Sequence, residues 1–236
     1  MNSWTEIDRR IGRWSAIAVL VLAAAYLTTG AIWLVSNTVA ARTQGLQPSE
    51  PYLAILETLL FMMNPALVAL FAGIHAYAPA DKKTCSLVAF GFVLLMVALT
   101  SCVHFIQLVV VRRTASVMVA DAFKFYPPDG RLTPMFAADM LAWDFFFGFA
   151  LLFAAPVFKG DRLQNTIRTG LIVCGLFCLA GVSFPVSGDA RMQLPAILGY
   201  AFGFPFVCLL IAKLFARSEV FISSRSSTPS FWDAGR

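Results

Sequence analysis

Residues 85–111 read CSLVAFGFVLLMVALTSCVHFIQLVVV, and they contain no Asp, Glu, Lys or Arg. A helix needs about 20 apolar residues to cross a hydrocarbon core of ~30 Å. This stretch is long enough, and its polar residues after Ser86, namely Thr100, Ser101, His104 and Gln107, recur at helical spacing. Barrel strands would alternate polar and apolar over about ten residues, which it does not do.

Five further stretches have the same character, at about 14–36, 53–78, 135–158, 166–184 and 193–215. The whole chain of 236 residues is 59% hydrophobic and 13% charged, with mean hydropathy +0.76. Ordinary soluble domains carry about 25% charged residues. The expected fold is therefore all-α: a polytopic membrane protein, one bundle of six transmembrane helices over residues 1–217. The polar, Ser-rich stretch 218–236 is expected to be a disordered tail. Between the third and fourth segments, residues about 114–126 mix Met, Val, Phe and Tyr with Asp121 and Lys124, before Pro127-Pro128-Asp129-Gly130. That composition suggests a segment lying at the membrane interface.

Orientation follows from counting cations in alternate connections. With the N-terminus inside, twelve Lys and Arg fall on the inner side and six on the outer. Both termini are thus expected in the cytoplasm, and the location is expected to be the cell membrane. The first apolar stretch is longer than the 7–15 residues of a signal h-region, so it reads as a retained helix. The net charge of +5 comes from cations scattered at segment ends. No basic stripe with interleaved aromatics is present, which argues against a nucleic-acid partner. Five cysteines, none in a C-x-x-C pair, read as small buried hydrophobes.

Ionisable groups inside such helices are costly and are functional candidates by default. Glu57, Asn64 and His75 fall within about 20° of one helical face at 100° per residue. Pro65 adjoins that face. The first segment has a stripe of Tyr26, Thr29, Trp33 and Asn37, and the sixth carries Gln193 and Tyr200. The fourth carries Asp139, Trp143 and Asp144. Asp139 lies near a helix start, where the dipole favours an anion. Asp144 lies deeper and lacks that explanation. The two aspartates, five residues apart, diverge by about 140° on a straight helix.

In the expected topology Glu57, His104, Asp139 and Asp144 all lie about 6–14 Å below the outer boundary. Sequential segments joined by a short turn are neighbours, so Glu57 can meet His104 and form a proton-handling pair. His75 is about 20 Å from His104 in depth, which excludes a bis-histidine haem. Glu57, His104 and an aspartate could compose a mixed metal site, yet we expect neither metal nor cofactor. Phosphate-binding loops, dinucleotide fingerprints and nucleophile elbows are absent from the sequence.

The leading expectation is a polar, aromatic-walled intramembrane pocket for an amphiphilic or lipid-like small molecule. Its ligand-binding candidates are Glu57, Asn64, His104, Gln107, Asp139, Trp143, Asp144, Trp33 and Tyr200. If the site performs acid–base chemistry, the catalytic candidates are Glu57, His104 and Asp144. Two alternatives stand beside it. One is an accessory subunit whose polar stripes pack helices or bind a partner membrane subunit or a second copy. The other is a small proton-coupled transporter. Membrane lipids are the expected surroundings in every case.

Overall fold

The computed structural model describes residues 4–37, 50–114, 123 and 132–226. Every regular element among them is helical, and six helices are long and apolar enough to cross a membrane. The expected interfacial segment falls outside the described residues except for Thr114 and Phe123, as does the tail beyond Ser226.

Helix α1 spans Glu6–Ser36, α2 Tyr52–Tyr77 and α3 Lys83–Ile106, with a π-helical turn Gln107–Val111 continuing α3. Helix α4 begins as Pro134–Met140, passes through a π-helical turn Leu141–Phe146 and resumes as Phe147–Ala154. Helix α5 is Arg162–Gly181. Helix α6 opens at Leu194–Ile197, passes through a third π-helical turn, Leu198–Gly203, and continues as Phe204–Ser226. Its backbone is thus helical past residue 217, where a disordered tail was expected to begin.

Two helices start earlier than hydropathy suggests, for a shared reason. Thr5 Oγ1 accepts from the Asp8 N–H at 3.2 Å while Asp8 accepts from the Thr5 N–H at 3.0 Å. Asp161 and Gln164 exchange the same pair of bonds at 2.8 and 3.0 Å. These reciprocal capping boxes satisfy the orphan donors of the first turn, so the helix nucleates in polar sequence before its apolar stretch. Pro65 lies within α2, which runs through it without a break.

Each helix packs on its neighbours in the chain, and α1 closes onto α6, so the six form a ring. The short α2–α3 and α4–α5 connections favour this neighbour order. The α1–α2 crossing is close because Gly12 faces Gly73: a Cβ on Gly73 would lie 2.6 Å from the Gly12 Cα. Small residues allow such backbone approach where lipid supplies no hydrophobic drive between helices. Helix α4 is the most enclosed, with 61% of its most apolar stretch buried against 17% for α1. Many large apolar side chains face outward, Trp14, Val21, Ile32, Leu94, Leu95 and Phe206 among them, as a lipid-facing surface requires.

Candidate functional site

The seam between α2 and α3 carries three polar rungs in antiparallel register. Near one end, His104 Nδ1 lies 2.5 Å from Glu57 Oε2. In the middle, Asn64 Nδ2 donates to Ser101 Oγ at 2.8 Å. Toward the other end, His75 Nδ1 lies 2.8 Å from Ser86 Oγ. The stripes read from the sequence therefore face each other. Their roles differ, because among the described residues the Glu57–His104 rung continues onto a third helix.

That continuation is Asp139. His104 Nε2 lies 3.5 Å from Asp139 Oδ1, so the imidazole stands between carboxylates from α2 and α4. The Glu57 and His104 side chains are 7% and 3% exposed, whereas Asp139 is 22% exposed. The chain thus runs from a buried acid, through a buried ring, to an acid at the edge of open space. Asp139 is the sixth residue of its helix, past the first turn over which the dipole acts. Its position is explained by His104, not by the helix end.

Asp144 belongs elsewhere. It is fully buried, and Gln193 Nε2 donates to its two oxygens at 3.2 and 2.9 Å. A Cβ on Gly181 would lie 2.6 Å from Asp144 Oδ2, so the carboxylate fills the space left by that glycine, where α4, α5 and the start of α6 meet. The two aspartates diverge, as the helical arithmetic required. The expectation that Asp144 joins Glu57 and His104 is corrected: Asp139 takes that place.

A cavity of about 100 Å³ lies where Asp139 emerges. Val19, Ala23, Tyr26 and Leu27 of α1 and Leu60, Met63 and Leu67 of α2 form one part of its wall. Asp139 and Trp143 of α4, with Tyr200, Ala201, Phe204 and Pro205 of α6, form the other. The Trp143 and Tyr200 rings meet at 5.4 Å with planes 47° apart, making a corner. Behind it Phe147 packs edge-on against Trp143 at 5.5 Å and against Phe204 at 4.8 Å. Val19 and Ala23 are buried while Tyr26, Leu27, Leu60, Asp139, Tyr200 and Ala201 are half-buried, so the cavity is only partly enclosed.

No family model, curated protein or solved structure matches the chain.

The other candidates sort by geometry. Trp143 and Tyr200 line the cavity, as expected. Trp33 is buried on α1 but is not part of the cavity wall; its carbonyl accepts from the Asn37 side chain at 3.1 Å. Asn64 is engaged with Ser101 one rung away. Gln107, fully buried, donates through Nε2 to the Phe123 carbonyl at 2.6 Å and so ties the end of α3 to the chain that follows. Nearby, Arg112 Nε donates to Glu50 Oε1 at 2.5 Å, joining the end of α3 to the residues before α2.

Sequence reasoning missed the π-helical turns. Each of the three carries candidates: Gln107 in the first, Trp143 and Asp144 in the second, Tyr200 in the third. Inserted π turns recur at functional sites because the extra residue re-aims the side chains around it. A lone Gly199–Tyr200–Gly203 pattern is the only sequence hint, and it also fits close packing. Tyr26 and Phe204 were legible only as members of a stripe and an apolar run.

Chemically, the chain can hold and pass a proton. An imidazole facing a carboxylate with each nitrogen satisfies both only when both nitrogens carry protons. A proton taken by Asp139 at the cavity can be exchanged through the ring toward Glu57. The ring separates the two acids, so the three do not converge on one point. Among the described residues no group of three His, Cys, Asp or Glu is arranged to hold a metal ion.

Proposed function

We propose that this chain is a multi-pass protein of the cell membrane, with both termini cytoplasmic, that binds an amphiphilic, lipid-like molecule. The polar end of the ligand enters the cavity beside Asp139, and its apolar tail lies along the α1–α6 seam. The observation that carries this reading is that the Glu57–His104–Asp139 chain ends on a partly enclosed cavity with aromatic walls. Pockets for whole drug-sized ligands measure about 300–1,000 Å³. A cavity of about 100 Å³ admits a head group and leaves the tail outside. Any acid–base step falls to Asp139 as the group meeting the ligand, with His104 and Glu57 behind it.

The test is extraction of the purified protein and of its Tyr200→Leu and Asp139→Asn variants, with the co-purifying amphiphiles identified by mass spectrometry. An amphiphile retained at constant ratio by the wild type and depleted in both variants is expected. Identical lipid profiles in all three would refute the reading.

A second reading, an accessory subunit held together by polar contacts, draws on the other bonds. Asn64–Ser101, His75–Ser86 and Asp144–Gln193 are direct helix–helix hydrogen bonds away from the cavity. On this reading substitutions in the Glu57 chain lower stability or assembly and leave the retained lipid unchanged.

A further inference from the structure

Resting on the pocket reading above, the geometry points to a cationic head group: we infer that the cavity takes the ammonium end of a long-chain amine or quaternary ammonium amphiphile.

The first support is charge. Glu57, His104 and Asp139 set two carboxylates against one imidazole, an excess of one acidic group over the cation the ring can supply. Asp139, the most exposed of the three, is the one that lines the cavity. No lysine or arginine is among the lining residues. An anionic head would meet a carboxylate and no counter-charge, which desolvation at this depth makes costly. A cation would meet its complement.

The second support is the wall. Tyr26, Trp143, Tyr200 and Phe204 border the same cavity as Asp139. Ring quadrupoles attract a cation lying within about 6 Å of a ring centroid, most strongly for Trp and Tyr, and more when it is desolvated. A neutral alcohol head gains nothing comparable from aromatic faces. Grouping one carboxylate with several aromatic rings is the arrangement that recognises ammonium groups.

The third support is size. An engineered apolar cavity of about 150 Å³ holds benzene. The cavity here, about 100 Å³, suits a compact head and not a sugar or a nucleotide. The alkyl chain, too large for the cavity, then lies outside it among the outward apolar side chains.

The experiment titrates three probes of equal chain length, decyltrimethylammonium, decanol and decyl sulfate, against the full chain in a nonionic maltoside micelle, reading thermal unfolding and Trp fluorescence. Tighter apparent binding of the ammonium than of the alcohol, by tenfold or more, is expected, with no saturable response to the sulfate. In Asp139→Asn, which keeps an acceptor toward His104, the preference should fall by about tenfold. In Trp143→Leu the preference should fall while decanol binding is kept. Because selectivity is read on the wild type, the result stands even if a variant fails to fold. Equal binding of ammonium and alcohol, or preference for the sulfate, overturns the cationic assignment and leaves the pocket reading intact. No saturable binding of any probe overturns both.

Discussion

Removing the His104 ring should be the most damaging single change in the polar interior, for a reason that a second background can isolate. In His104→Ala, Glu57 and Asp139, whose side chains are 7% and 22% exposed in the wild type, lose the ring that stands between them. Breaking a buried charge pair by deleting one partner costs about 3–5 kcal/mol, because the survivor is left without compensation. At about 2–4 °C per kcal/mol for a chain of this size, Tm should fall by roughly 6–20 °C. Neutral interhelical hydrogen bonds average only about 0.6 kcal/mol in membranes, so Ser101→Ala, which breaks the bond to Asn64, serves as the internal scale. The decisive arm repeats His104→Ala in a Glu57→Gln/Asp139→Asn background. With no carboxylate left, the ring has no charge to compensate, and its removal should cost only the packing of one side chain, about 1–2 kcal/mol by the transfer scale. Thermal unfolding of the four proteins in one detergent measures the coupling as a double-mutant cycle. An equal loss in both backgrounds would show that the imidazole is packing material, and the charge-chain account would be wrong.

Three further outcomes follow from the geometry. Gly73→Ala should destabilise by about 1–3 kcal/mol, since its Cβ would meet the Gly12 Cα at 2.6 Å and backbone cannot rotate away; Gly91→Ala, with open space around it, should leave Tm unchanged or raised, and equal effects would contradict the crossing. Gln193→Leu should cost about 1.5–3 kcal/mol by stranding the Asp144 carboxylate, and Asp144→Leu/Gln193→Leu should recover most of it, while probe binding stays at the wild-type level because neither residue lines the cavity; lost binding would return Asp144 to the site. Arg112→Ala should shift Tm by less than about 1 kcal/mol equivalent, its partner Glu50 being 48% exposed, and a larger loss would mean that this contact closes the end of the bundle.

The sequence by itself determined the helices and which of their faces are polar. Length, apolar content and 100° spacing depend only on residues near each other in the chain, so six spans, the α2 and α3 stripes and the Glu57–His104 encounter were all legible. Helix starts were less so, because the Thr5–Asp8 and Asp161–Gln164 capping boxes lie in polar sequence that a hydropathy window averages away.

What only the tertiary structure decided was how each helix is rotated against its partners. Asp139 and Asp144 are equally striking to a reader of the chain, yet one meets His104 and the other Gln193. Rotation is set by where glycines leave room, Gly12 for the Gly73 backbone and Gly181 for the Asp144 carboxylate, and by where a π turn inserts an extra residue. Those are properties of pairs of surfaces, and a one-dimensional pattern does not contain them. The cavity is the remainder of that packing. Its carboxylate and its aromatic walls come from three helices, α1, α4 and α6, that no local rule brings together.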